Sequence, residues 1–164
     1  MEKEKIVGIV FISIVAIFLL INQNPFGSEE EKFQKSLIRT RDLAYIKSIE
    51  KISDNIESHI TIISNSRDNN EVELHGRILK EEMQKQINNN QPQISPELRL
   101  VEIEFKKYLE DYYNVGKFIE IGAKNNDNNS INIALNYYKD AYNIMEAMSK
   151  LVEDYMKKND VKKK

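Results

Sequence analysis

The chain has 164 residues, a length that suits one domain with a hydrophobic core. Its 24 lysines and arginines against 26 aspartates and glutamates give a formal net charge of −2, and we therefore predict no nucleic-acid partner, because such partners require a basic face. The absence of cysteine excludes disulfides and thiolate metal sites, and only 5 Gly and 3 Pro favour long helices and an all-α protein.

Residues 6–21 form an uncharged apolar run, IVGIVFISIVAIFLLI. As a helix this run is about 24 Å long, a little short of a bilayer core of about 30 Å. Lys3 and Lys5 precede it and the next basic residue is Lys32, so the positive-inside bias predicts a single-pass protein of the cell membrane with a cytoplasmic N-terminus and an extracytoplasmic remainder. The following LLINQNPFG lacks small residues of a cleavage site, which favours an uncleaved anchor over a cleaved signal or a buried core helix.

The segment Pro25-Phe26-Gly27 interrupts the helical pattern. We therefore predict an anchor and break at residues 1–27, a helical bundle at 28–158 and a basic tail at 159–164. Ser28 and Glu31 have the spacing of a capping box and predict the start of the first helix.

That first helix is predicted to run to about Asn65, longer than its partners. Its apolar residues recur at helical spacing: Phe33, Leu37, Tyr45, Ile49, Ile52, Ile56, Ile60 and Ile63. We expect its start, Glu29 to about Ala44, to stand partly free as a stalk. Phe33, Leu37 and Tyr45 would then face water unless the stalk forms a homo-oligomer.

A second, shorter helix follows the turn Asp68-Asn69-Asn70-Glu71, and its apolar side carries Val72, Leu79, Met83 and Ile87. The segment NNNQPQISPE is predicted to be a loop, after which Ser95 caps the third helix with Pro96 in its first turn.

The last two helices have coiled-coil seams, in which apolar residues alternate spacings of three and four. The third helix carries Leu98, Val101, Phe105, Tyr108, Tyr112, Val115, Ile119 and Gly122, and the fourth Ile131, Ala134, Tyr138, Ala141, Met145, Met148, Val152 and Tyr155. The short polar link KNNDNNS predicts an antiparallel hairpin that turns near residue 126 and places Tyr112 opposite Ala141. The whole pattern predicts an antiparallel up-down four-helix bundle behind an N-terminal transmembrane helix. In architecture alone this resembles the sensor domains of bacterial chemoreceptors, which lie between two membrane spans rather than after one.

Two histidines, His59 and His75, fall on the first two helices and could approach each other across that hairpin. Neither has a glutamate at the E-x-x-H spacing of di-iron bundles. We predict no metal site, no cofactor and no catalytic residue.

Tyrosines concentrate on the last two helices, where packing of the core is their simplest role. The sharper hypothesis is an aromatic ligand pocket between these helices, lined by Tyr112, Tyr138 and Tyr142. Met145, Met148 and Met156 either fill gaps in the core or form an adaptable surface for a partner.

From these observations we expect a non-enzymatic, membrane-anchored interaction or scaffold module that acts through a protein partner or a homo-oligomer. The alternative is an extracytoplasmic sensor or binding domain for a small ligand that uses the aromatic seam.

Overall fold

The computed structural model describes residues 29–89 and 93–159 of the chain. In this part of the chain four α-helices pack against one another and no strand occurs. They are α1 (Glu29–Asn65), α2 (Asn69–Asn88), α3 (Arg99–Asn125) and α4 (Asn128–Lys158), and a short 3₁₀ helix (Pro96–Leu98) precedes α3. The prediction of an all-helical bundle with a long first helix is confirmed, since α1 has 37 residues.

Aspartates cap two of the helices. The Asp68 side chain accepts a hydrogen bond from the backbone N–H of Asn70 at the start of α2, and Asp127 accepts one from Asn129 at the start of α4. The predicted cap at Ser95 is wrong in its chemistry. Ser95 does precede the 3₁₀ helix, but its hydroxyl makes no capping hydrogen bond, and its backbone N–H donates to the Asp42 carboxylate of α1.

Contacts between helix ends give the direction of the chain. The Asn69 side-chain amide, at the start of α2, donates a 2.7 Å hydrogen bond to Asn126, just beyond α3. Gly122, near the end of α3, lies against the Ile131 side chain near the start of α4. These pairs therefore run antiparallel, and the second contact has the register predicted for the hairpin.

The core follows the predicted seams of α3 and α4. The seam of α3 is buried throughout, and the seam of α4 is buried except at the half-buried Ile131 and Tyr138. The buried positions include Val101, Phe105, Val115, Ala134, Ala141 and Val152. The three methionines of α4 are also in the core, with 7% of Met145 and 2% each of Met148 and Met156 exposed. The methionines therefore fill gaps, and the alternative in which they form a partner surface is wrong.

The part of α1 that stands free of the bundle is shorter than the predicted stalk. Phe33 and Leu37 are exposed as predicted, but Asp42 and Tyr45 are each only 1% exposed. Asp42 accepts hydrogen bonds from the backbone N–H of Ser95 at 2.9 Å and from the Tyr155 hydroxyl at 2.8 Å. These two bonds fasten α1 to the bundle before Ala44, so the expectation that Tyr45 faces water in a single chain is wrong.

The helices pack at unequal distances. The backbone of α3 approaches those of α2 and α4 closely, whereas α1 meets α3 and α4 mainly through side chains. A close approach joins Gly76 of α2 to Gly116 of α3, where an added Cβ atom would lie within 3 Å of the opposing backbone. This difference leaves a space beneath α1.

The predicted anchor at 6–21, the Ser28 cap and the basic tail beyond Asn159 lie outside the described residues. Among the helices that are described, none is both long enough and apolar enough to cross a membrane.

Candidate functional site: a tyrosine-lined cavity

The three tyrosines proposed from the sequence lie on one cavity. Tyr112 of α3 and Tyr138 and Tyr142 of α4 line a space of about 190 Å³ between these helices and α1. Tyr108 and Met145 complete this side of the wall. The sequence-derived set is thus brought together in space, whereas its proposed role in ligand binding stays a prediction.

The opposite wall belongs to α1, which the sequence-based hypothesis did not include. It consists of Ser53, Ile56, Glu57, Ile60, Thr61 and Ser64. The polar members recur at spacings of three and four, beside the apolar stripe of the same helix. That second, polar stripe is the signal that could have indicated the α1 wall.

The tyrosine rings meet edge to face. Tyr108 and Tyr112 have ring centroids 4.8 Å apart with an interplanar angle of 67°, and Tyr112 and Tyr138 are 6.2 Å apart at 86°. Such T-shaped pairs are the favoured geometry of aromatic contacts. Because Tyr108 and Tyr112 are buried and Tyr138 is half-buried, the rings form a preorganised wall of the cavity.

Burial keeps the phenols neutral. It is the main cause that raises the pKa of Tyr108, Tyr112 and Tyr138, and the negative charge of Glu57 adds to it in all three. In the described part of its wall, the cavity therefore combines uncharged phenols with one carboxylic side chain, Glu57.

One polar atom of the cavity wall lacks a well-formed hydrogen bond. Ser53 is 2% exposed, and its Oγ meets no described residue in good hydrogen-bond geometry. The Tyr108 hydroxyl is close enough for a weak interaction that offsets part of the rise in the pKa of that phenol. A buried hydroxyl without a partner costs about 1–3 kcal/mol. A ligand that hydrogen-bonds Ser53 would recover this energy.

The two histidines do meet across α1 and α2, as the sequence allowed. The Nδ1 atoms of His59 and His75 are 2.9 Å apart, so one ring must donate and the other accept. Nε2 of His59 lies 3.3 Å from Glu82, whose carboxylate also accepts a hydrogen bond from Asn55. No three acidic, histidine or cysteine side chains among residues 29–89 and 93–159 are grouped to hold a metal ion.

Comparison with known proteins gave no family model, no curated protein and no solved structure that matches this chain.

Proposed function

We propose that this chain is a membrane-anchored, extracytoplasmic helical bundle that binds a small molecule in the tyrosine-lined cavity and catalyses no reaction. The observation that carries this proposal is the cavity itself, with its aromatic wall, polar rim and unpartnered Ser53 hydroxyl. Preorganised apolar cavities with a few convergent polar groups are the usual form of a ligand site.

The size of the cavity limits the ligand. Its volume of about 190 Å³ is slightly above that of the roughly 150 Å³ cavity that accepts benzene. It lies below the range of about 300–1,000 Å³ that is common for drug-sized ligands. The ligand is therefore a single ring or a short branched chain, and nucleotides and peptides are too large to be enclosed.

The location is proposed from the sequence of residues 1–32. The apolar run at 6–21, with Lys3 and Lys5 before it and no further basic residue until Lys32, supports an anchor with a cytoplasmic N-terminus. In this arrangement the bundle and its cavity face the outside of the cell.

A thermal-shift screen of the full chain with small aromatic, alcohol and amine compounds tests the binding function. A ligand at about one hundred times its Kd adds about 2.7 kcal/mol to the free energy of unfolding, which raises Tm by roughly 10 °C for a domain of this size.

Ser53→Leu should fill part of the cavity and abolish the response to the ligand while leaving the protein folded. The matched control is Ser48→Leu, at an exposed position of the same helix, which should respond like the wild type. Responses that are equal in both variants, or absent from the wild type throughout the screen, would refute binding in this cavity.

A second candidate function, an interaction or scaffold module, is favoured by the first described turns of α1. Phe33, Leu37 and Ile38 are 61%, 43% and 37% exposed and lie together on a part of α1 that precedes the bundle contacts. Large apolar side chains in such a cluster are typical of protein interfaces. We propose that two or more copies of the chain associate here. Analytical ultracentrifugation of the full chain should then show an oligomer that Phe33→Ser with Leu37→Ser dissociates, and a monomer at high concentration would exclude it.

A further inference from the structure

The described residues that line the cavity carry negative charge and no positive charge. Among the described residues that line the cavity, Glu57 is the only carboxylate, and none is a lysine or arginine. No described lysine, arginine or histidine forms an ion pair with Glu57. A half-buried carboxylate without a counter-charge makes the cavity a region of negative potential.

The field of Glu57 reaches the aromatic wall. Its negative charge contributes, after burial, to the raised pKa of Tyr108, Tyr112 and Tyr138. A cation in the same space would be attracted by this charge, whereas an anion would be repelled. The cavity is therefore matched in sign to a positively charged guest.

The rings supply the second attraction. Neighbouring rings are inclined at 67° and 86°, so their planes face different directions around the space. The negative faces of aromatic rings attract a cation within about 6 Å, and several rings of different orientation can surround a substituted ammonium group. Ile56, Ile60 and Met145 provide contacts for its alkyl substituents.

We propose that the cavity selects a small organic cation, an alkylammonium or quaternary ammonium compound, with Glu57 as counter-charge and the tyrosines as an aromatic cage. A hydroxyl group on the ligand would pair with the unpartnered Ser53. The inference rests on the proposed binding function, which it deepens by naming the class of ligand.

Choline and 3,3-dimethylbutan-1-ol are suitable probes, because they have the same shape and differ by a charged nitrogen in place of a carbon. Binding to the full chain is measured by isothermal titration calorimetry. Tyrosine fluorescence is a second readout, since the chain has 8 tyrosines and no tryptophan. Choline should bind at least about tenfold more tightly than the neutral alcohol.

Variants locate the charge effect. Glu57→Gln should weaken choline binding about tenfold and leave the neutral alcohol unchanged. The control is Asp54→Asn, which removes one negative charge from an exposed position of the same helix and should change neither affinity. Tyr138→Leu removes a ring but no charge, and should also weaken choline more than the alcohol. If Glu57→Gln fails to fold, Tyr138→Leu still tests whether the aromatic rings favour the cation.

The outcomes distinguish a failure of cation selectivity from a failure of ligand binding in the cavity. Equal affinity for both probes, or tighter binding of the alcohol, would overturn cation selectivity and leave cavity binding in place. Choline binding that is unaffected by both Glu57→Gln and Tyr138→Leu would place the cation elsewhere and also overturn it. If neither probe binds and no compound in the thermal-shift screen raises Tm, the proposed binding function is refuted, and cation selectivity is refuted with it.

Discussion

Gly116→Ala is the substitution whose cost the structure defines most directly. A Cβ atom at Gly116 would lie 2.6 Å from both the carbonyl oxygen of Gly76 and the backbone nitrogen of Lys80. Both opposing atoms belong to the backbone of α2, so no rotation of a side chain can relieve the overlap. Ordinary van der Waals contact begins near 3.4 Å, and α2 and α3 would have to move apart by about 0.8 Å.

Two opposing effects determine the change in the free energy of unfolding. Overpacking of this kind costs about 1–3 kcal/mol, and a gap of 0.5–1 Å forfeits roughly a quarter to a half of each dispersion contact between the separated helices. Alanine returns up to about 1 kcal/mol through its higher helix propensity. We expect a net loss of about 2 kcal/mol and a fall in Tm of roughly 8 °C.

Thermal and urea denaturation, followed by circular dichroism at 222 nm, measure this loss. The matched control is Gly122→Ala, whose Cβ would meet chiefly the end of the Ile131 side chain, at 2.5 and 2.8 Å. That side chain can rotate, so the control should cost clearly less than Gly116→Ala. A Gly116→Ala protein as stable as the wild type, or less affected than the control, would refute the close backbone contact between α2 and α3.

Asp42→Ala should cost about 3 kcal/mol in urea denaturation, because two buried donors lose their acceptor, and Asp42→Asn should cost less because it retains one acceptor oxygen. His59→Ala and His75→Ala should be coupled by about 1 kcal/mol in a double-mutant cycle; strict additivity would argue against their hydrogen bond. Hydrogen bonding, first from the Ser130 hydroxyl, lowers the pKa of Asp127. Its stabilising effect is therefore present above its unfolded pKa and is lost as the pH falls through the folded one, so denaturation of wild type and Asp127→Ala should converge in acid; a gap independent of pH would contradict this.

The helices and the seams of the bundle could be predicted from the sequence because they depend on local spacing. Positions three and four apart share one face of a helix, so the alternation in α3 and α4 identifies the buried residues without knowledge of the partner helices. Asp68 and Asp127, in the polar links, begin α2 and α4 by local capping hydrogen bonds. Two tyrosines of the candidate site, Tyr112 and Tyr138, follow from the same periodicity, and Tyr142 lies beside the α4 seam.

Features that depend on contacts between distant segments could not be found in this way. Asp42 has the sequence character of a solvated residue, and only the approach of Ser95 and Tyr155 makes its burial favourable. The contact of Gly76 with Gly116 likewise requires knowledge of where two helices cross. Glu57 belongs to the candidate site because α1 lies over the groove between α3 and α4, which no local pattern specifies.

These long-range contacts also explain why the cavity exists. Because Gly76 and Gly116 have no side chains, α2 can lie close to one side of α3. The small residues Ala134 and Ala141 allow α4 to pack closely on the other side of α3. Tyrosines on α3 and α4 are too bulky to let α1 approach in the same way, so α1 packs through buried side chains such as Tyr45 and Ile56, with polar contacts at Asp42 and His59. Between these two attachments its backbone stays at side-chain distance. The cavity is therefore a consequence of where large and small side chains are placed around α3, and filling it should not require the helices to separate.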